Sequence, residues 1–204
     1  MVKQDLIPLE LDLDELRRRL AQRSAPAFPV YGDDGAGRQA AALTPASVLV
    51  PIVARAEELT MLFTQRTSHL RNHSGQVSFP GGRCEPHDPT PEFTALRECE
   101  EEIGLRGERV EILARLPEYL TRTGFRVTPV VGLLTPPLEL APDRREVEEV
   151  FEVPLAFLLD PRNRQRHTRE FQGQTVGYYV FEYQGRSIWG ATAGMLVNLY
   201  TMLV

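Results

Sequence analysis

Cysteine, tryptophan, long apolar runs and surplus positive charge are all scarce in this 204-residue chain. The only cysteines are Cys84 and Cys99, too few for a disulfide framework. Cys99 falls at an apolar helix position, where a buried free thiol is the default. A reducing, cytoplasmic setting follows as the expectation. Against 28 Asp and Glu there are 23 Lys and Arg, a formal net charge of −5. That balance argues against nucleic acid as the main partner and leaves room for a local basic pocket. The opening MVKQDLIPLELDLDELRRRL alternates charge with leucine and contains no signal-peptide core. The one long uncharged stretch, Ile188–Val204, is interrupted by Gly190, Thr192, Gly194, Asn198 and Thr201, which is marginal for a membrane span. A packed or interface helix is expected there, with no membrane partner, and its apolar character makes a homodimer plausible. There is no internal repeat and no low-complexity segment.

Taken in order, Leu9–Arg23 reads as an amphipathic helix with Leu13, Leu16 and Leu20 on one stripe. Residues 24–42, with Pro26, Pro29 and several glycines, read as a linker. The expected division is therefore an N-terminal helix and linker over 1–43 and an organised domain over 44–204. Ser47–Ala54 and Glu58–Thr64 look like paired strands, with Pro51 pointing to an edge or a bulge. Arg109–Leu116 and Phe125–Leu134 read as further strands, the second buried despite Pro129. Asp143 and Glu146 have capping-box spacing and predict a short helix through Val150. Thr175–Tyr183 alternates as a strand, Gly185 makes a turn, and a helix begins near Ala191. This order suits an α+β fold, a mixed sheet covered by helices on both faces.

The most informative stretch is FPGGRCEPHDPTPEFTALRECEEEIGL, Phe79–Leu105. A Pro-Gly-Gly turn leads through a polar loop into a carboxylate-dense helix closed by Gly104. With Glu98 at zero on a wheel of about 100° per residue, Glu101 falls near 300° and Glu102 near 40°. Leu96, Cys99 and Ile103 fall at about 160°, 100° and 140°, so the opposite face is apolar. Glutamates at i, i+3 and i+4 repel one another. One reading is a solvated acidic helix face. The other is a hard-cation site, because clustered carboxylates suit magnesium, which keeps some waters and shares its shell with substrate phosphates.

Residues Arg97–Leu105, RECEEEIGL, fit the pattern R-E-U-x-E-E-x-G-U (U apolar) at every position, and in this the chain resembles the Nudix hydrolases. One departure stands out. Counting from Gly82, Asp88 occupies the usual Glu position, and eight residues rather than seven separate it from Arg97. The resemblance implies an α/β/α sandwich around a mixed sheet, and hydrolysis of a phosphoanhydride linked to a further group, with Mg²⁺ or Mn²⁺ as cofactor. It implies Glu98 and Glu102, one turn apart, as metal ligands, with Glu101 next and a Gly81 or Gly82 carbonyl available to complete the shell. Glu101 is the first candidate to take the proton, with Glu146 or Glu149 as alternatives outside the box. Arg97 is placed to hold Glu101 across one helical turn.

Just upstream, Leu62–Gly82 reads LFTQRTSHLRNHSGQVSFPGG. It is similar to the further signature L-L-T-x-R-(S/A)-x3-R-x3-G-x3-F-P-G-G of the coenzyme A pyrophosphatases within that family. Phe63 and Thr67 are its mild departures, and the likeness continues more loosely through YLTRTGFRVTPVVGLL and IWGATAGMLVNL. The implied substrate is coenzyme A or a derivative, a small-molecule partner, cleaved to 3′-phosphoadenosine 5′-phosphate and 4′-phosphopantetheine. Coenzyme A carries a 3′-phosphate besides its diphosphate, so fixed cations are needed beyond the metal. Arg66 and Arg71 can offer planar bidentate donors. Arg122 and Arg126 flank Phe125 and either line the pocket with it or form strand-edge ion pairs. His69 and His73 have i, i+4 spacing, but Asn72-His73-Ser74-Gly75 is a turn sequence and a poor helix, which disfavours a histidine metal site. Another nucleoside diphosphate derivative such as ADP-ribose, or a silent nucleotide-binding domain, remains as the alternative.

Overall fold

The computed structural model describes residues 9, 11–22, 43–69, 75–171 and 173–204. Strand β1 (Thr44–Ala54) is the spine of the larger sheet. It runs parallel to β7 (Phe125–Leu134) from Thr44 opposite Phe125 to Val53 opposite Leu134. On its other side it meets two strands in succession. Ala46–Val48 pairs with β4 (Gly81–Arg83), and Ile52–Ala54 pairs with β2 (Leu59–Arg66), both antiparallel. Pro51 lies where β1 passes from one partner to the other. It is therefore not at a sheet edge, and its missing N–H falls where neither antiparallel partner is paired.

The short β3 (Val77–Ser78) and the longer β8 (Val147–Pro154) both pair with β2. Strands β5 (Val110–Arg115) and β6 (Tyr119–Leu120) both pair with β7. One parallel pair among antiparallel ones makes the sheet mixed, as expected. The crossover that the parallel pair requires contains α2 (Pro91–Ile103).

Side-chain alternation along these strands separates two cores. Leu49 and Val53 of β1, Leu62 of β2, and Val130 and Leu134 of β7 pack on Ala95, Cys99 and Ile103 of α2. Val50, Ile52, Met61, Phe63, Val131 and Leu133 point the other way. That second face is covered by α1 (Leu13–Gln22), α3 (Leu155–Leu159) and α4 (Ala191–Leu203). Covering both faces explains why β1 and β7 read as near-continuous apolar runs rather than alternating ones.

The uncharged C-terminal stretch is α4, apolar nearly all round because it is buried nearly all round. The apolar residues that made a homodimer plausible are packed within the chain, with Val204 left exposed. Among the described residues no helix is long and apolar enough to cross a membrane.

One expectation needs correction. The helix expected after Asp143 is a single turn, because Asp143 spends its carboxylate on the backbone and guanidinium of Arg145. The V-E-E-V-F-E-V run after it, with its β-branched residues, forms β8 instead. The short β3 precedes the Pro-Gly-Gly turn. The strand at Gln174–Tyr183, β10, is the centre of a second sheet between β9 (Gln165–Phe171) and β11 (Arg186–Trp189). β9 has almost no apolar residues and is visible only through its pairing. Arg186 joins this sheet to β8, donating to Glu149 at 3.1 Å from Nε while lying 4.5 Å from the Phe151 ring centroid.

Candidate active site

The acidic face of α2 turns toward the β4 end of β1. Thr90 caps the helix start by accepting from the Phe93 N–H at 3.2 Å, Pro91 opens the first turn, and Gly104 closes the helix at φ 71°. These caps set the helix register, and the register sets where each carboxylate lies.

Glu102 is the buried one, with its side chain 7% exposed. Burial, reinforced by the nearby charges of Glu146 and Glu98, pushes its pKa up to about 8, against the opposing pull of Arg66 and of the Gly81 N–H that it accepts. Glu98 is partly buried and its pKa is also raised, mainly by burial. Its carboxylate lies directly over Gly82, where a Cβ would come within 2.5 Å of Oε1. Glu101 is the exposed member at 61%.

Arg97 ties the group together. Its guanidinium is 2.9 Å from Glu98 and 3.2 Å from Glu101, and it donates to Asp88 at 3.0 Å. The departure at Asp88 thereby acquires a structural account. Asp88 is 3% exposed and accepts from Arg97, from the Thr94 hydroxyl at 2.8 Å and from the Glu85 N–H at 2.9 Å. These donors, Arg97 first, hold its pKa at about 2. Asp88 orients the arginine and is turned away from any ion that the glutamates could hold.

Opposite the helix, Arg66 reaches from the end of β2 to within 3.7 Å of Glu102 and 3.9 Å of Glu146. Its Nε is buried and has no hydrogen-bond partner among the described residues. Glu146 carries no capping role, since its turn does not continue into a helix. Its charge is instead felt by both Glu98 and Glu102. Glu149, the other candidate base, is held by Arg186. Arg71 and His73 lie outside the described residues.

A cavity of about 410 Å³ adjoins this charge cluster, with Arg66 and Gly81 at the shared end. Phe125 forms part of its wall with Arg83 5.3 Å over its ring, and Arg122 also lines it. Arg126 does not, and pairs instead with Glu118 at 3.6 Å. The adjacent arginines thus divide between the two readings left open for them. Sequence reasoning missed the part of the wall supplied by Arg169 of β9 and Trp189 of β11, with Thr192 and Met195 of α4. Tyr178, Arg169 and Trp189 come together only when β9, β10 and β11 pair, and no local spacing announces that.

The residues fit a hard divalent cation. Every donor is an oxygen, and Glu102 is a buried carboxylate whose neighbouring positive charge is too weak to keep it ionised at neutral pH. Among the described residues no three His, Cys, Asp or Glu side chains are already gathered around one point. Magnesium needs few protein ligands, because waters and phosphate oxygens fill the rest of its shell.

The chain is 40% identical over 154 residues to a Photorhabdus laumondii protein named Uncharacterized Nudix hydrolase NudL, covering 76% of this chain and 82% of that one. It is 42% identical over 156 residues to the protein of the same name from Enterobacter sp. strain 638, covering 76% and 80%. Among solved structures, the Mycobacterium smegmatis Nudix hydrolase RenU aligns with a TM-score of 0.49 at 23% identity, covering 66% of this chain and 84% of that one. Since residues 43–172 match the model of the NUDIX domain, the chain belongs to the Nudix hydrolase family.

Proposed function

We propose that this Nudix hydrolase cleaves the diphosphate of coenzyme A, or of a coenzyme A derivative, to 3′,5′-ADP and 4′-phosphopantetheine. One observation carries the reading: a partly buried carboxylate cluster adjoins, through Arg66 and Gly81, a cavity lined by arginines and aromatic rings. The first needs cations and the second needs anions, so a metal-bound diphosphate with a charged, aromatic appendage satisfies both. The Arg66 to Gly82 stretch, with its Gln-Arg-Thr and Phe-Pro-Gly-Gly segments, supports coenzyme A over other nucleoside diphosphates.

Glu98 and Glu102, with Glu101, would hold Mg²⁺ or Mn²⁺, which neutralises charge on the diphosphate and makes a bound water more acidic. The protein's own part is positioning. Gly82 leaves Glu98 room beside β4, and the Gly81 N–H fixes Glu102. The Nε of Arg66, without a hydrogen-bond partner among the described residues, is a donor suited to a phosphate oxygen, and Arg66 also faces Glu146 and Glu102, so substrate and carboxylates share it. Arg97 steadies Glu101, the exposed carboxylate that accepts the proton, with Glu146 the second candidate. Domain 44–204 contains all these groups, and α1 adds a wall to its far face.

The reading is tested by assaying coenzyme A, dephospho-coenzyme A and ADP-ribose side by side with Mg²⁺ or Mn²⁺. Coenzyme A is expected to have the highest kcat/KM. Equal or better hydrolysis of dephospho-coenzyme A or ADP-ribose would overturn it.

A further inference from the structure

Resting on the coenzyme A reading, we infer that the substrate's additional phosphate is read by Arg169, set in place by Tyr178 and Trp189, and not by Arg66. Arg66 stands at the carboxylate end of the cavity, within 4 Å of both Glu102 and Glu146 (3.7 and 3.9 Å). A guanidinium there serves the diphosphate. A phosphate elsewhere on the substrate has to meet a different cation.

Arg169 fits that need on the side of the cavity formed by the second sheet. Its guanidinium carbon lies 5.6 Å from the Tyr178 ring centroid and 5.4 Å from that of Trp189. The two rings are themselves in edge contact, with centroids 5.9 Å apart at 63°. Ring faces attract a guanidinium through its π face and restrain its plane, while its N–H donors point outward from the edge. An arginine restrained in this way loses less side-chain freedom when it forms paired hydrogen bonds to an anion.

Arg169 and Trp189 both line the cavity, together with Arg122, Phe125 and Phe79. The arrangement offers a nucleoside apolar and aromatic walls and offers its sugar phosphate two guanidinium groups. Registry makes the arrangement specific to this fold. Arg169 lies opposite Val176 of β10 and Trp189 opposite Val180, two residues either side of Tyr178, so Arg169, Tyr178 and Trp189 share one face of the small sheet only when both hairpins form. The site would then sort substrates by charge at one end while the carboxylates act at the other.

The chain has a single tryptophan, so its tryptophan emission, excited at wavelengths that tyrosine does not absorb, reports Trp189 alone. The experiment titrates adenosine 3′,5′-bisphosphate, AMP and 4′-phosphopantetheine into wild-type protein, Arg169→Gln and Arg169→Lys. The bisphosphate is expected to change Trp189 emission saturably and to bind more tightly than AMP. In Arg169→Gln the ratio of the two affinities falls by roughly tenfold, as for a lost charge-assisted hydrogen bond, and Arg169→Lys recovers part of it. The inference is overturned if Arg169→Gln weakens both nucleotides equally, or if 4′-phosphopantetheine produces the emission change and the bisphosphate does not. Hydrolysis is measured separately, so the two claims can fail apart. A protein that does not cleave coenzyme A but shows the Arg169-dependent preference loses the activity and keeps the subsite.

Discussion

The adjacent glycines of the Phe-Pro-Gly-Gly turn separate folding from chemistry, and alanine at each position gives opposite results. At Gly82 the atoms nearest the new methyl are the carboxyl end of Glu98, with Oε1 at 2.5 Å. That group ends a flexible side chain and can swing aside at a rotamer cost of about 0.5–1.5 kcal/mol. Replacing glycine within a strand returns roughly 0.5–1 kcal/mol of backbone entropy. The two nearly cancel, so Gly82→Ala should melt within a few degrees of wild type. Its turnover should fall on the order of 10²-fold, the cost of displacing a catalytic group by about 1 Å, and half-maximal activity should require more Mn²⁺. At Gly81 the methyl meets backbone instead: the Ser47 carbonyl oxygen, and the Val48 Cα at 2.6 Å, with φ at +154°. Neither can move without opening β1 from β4. Overpacking of this kind costs about 1–3 kcal/mol, which is roughly 2–12 °C in Tm for a domain of this size. Thermal unfolding and Mn²⁺-dependent initial rates on both variants check the pair. Wild-type turnover and wild-type Mn²⁺ dependence in Gly82→Ala would refute the placement of Glu98 as a ligand.

Glu102→Gln should lower turnover by about 10²-fold or more while raising the Tm of the metal-free protein above about pH 8, where the buried carboxylate is ionised; a fall in both there would mean that Glu102 is structural. The folded-state pKa of Glu102 is about 8 against an ordinary 4.5, so the folded protein binds more protons between those values. That contribution to stability is complete below about pH 4.5 and is lost as pH rises through 8. Urea midpoints in EDTA should therefore decline from pH 6 to pH 9, and the decline should shrink with Mn²⁺ or in Glu102→Gln. Asp88→Ala leaves Arg97 without its buried partner and should cost on the order of 3 kcal/mol, read as a lower urea midpoint with unchanged slope; unaltered stability would show that the Asp88–Arg97 pair is dispensable. Arg122→Ala should raise KM for coenzyme A several-fold, whereas Arg126→Ala, whose partner is Glu118, should not. Equal effects in steady-state kinetics would remove the distinction between them.

Local order along the chain determined a good deal by itself. The i, i+3, i+4 spacing of Glu98, Glu101 and Glu102, with Cys99 and Ile103 opposite, needs only helical geometry, and Thr90 and Gly104 mark its ends. The apolar runs of β1 and β7 declare strands covered on both faces, and the uncharged residues after Ile188 declare a buried helix. Tertiary structure alone decided how similar residues divided their roles. Helical spacing cannot tell buried Glu102 from exposed Glu101, because that depends on which side of α2 meets β4. It cannot assign Asp88 to Arg97, send Arg122 to the cavity and Arg126 to Glu118, or bring Arg169 against Tyr178 and Trp189 from three separate strands. A repeat of 3.6 or 2 residues is a property of one segment, and the spacing along it carries that information. Burial, the electrostatic field and the sharing of an arginine are properties of segments brought together, and they exist only once the sheet has paired.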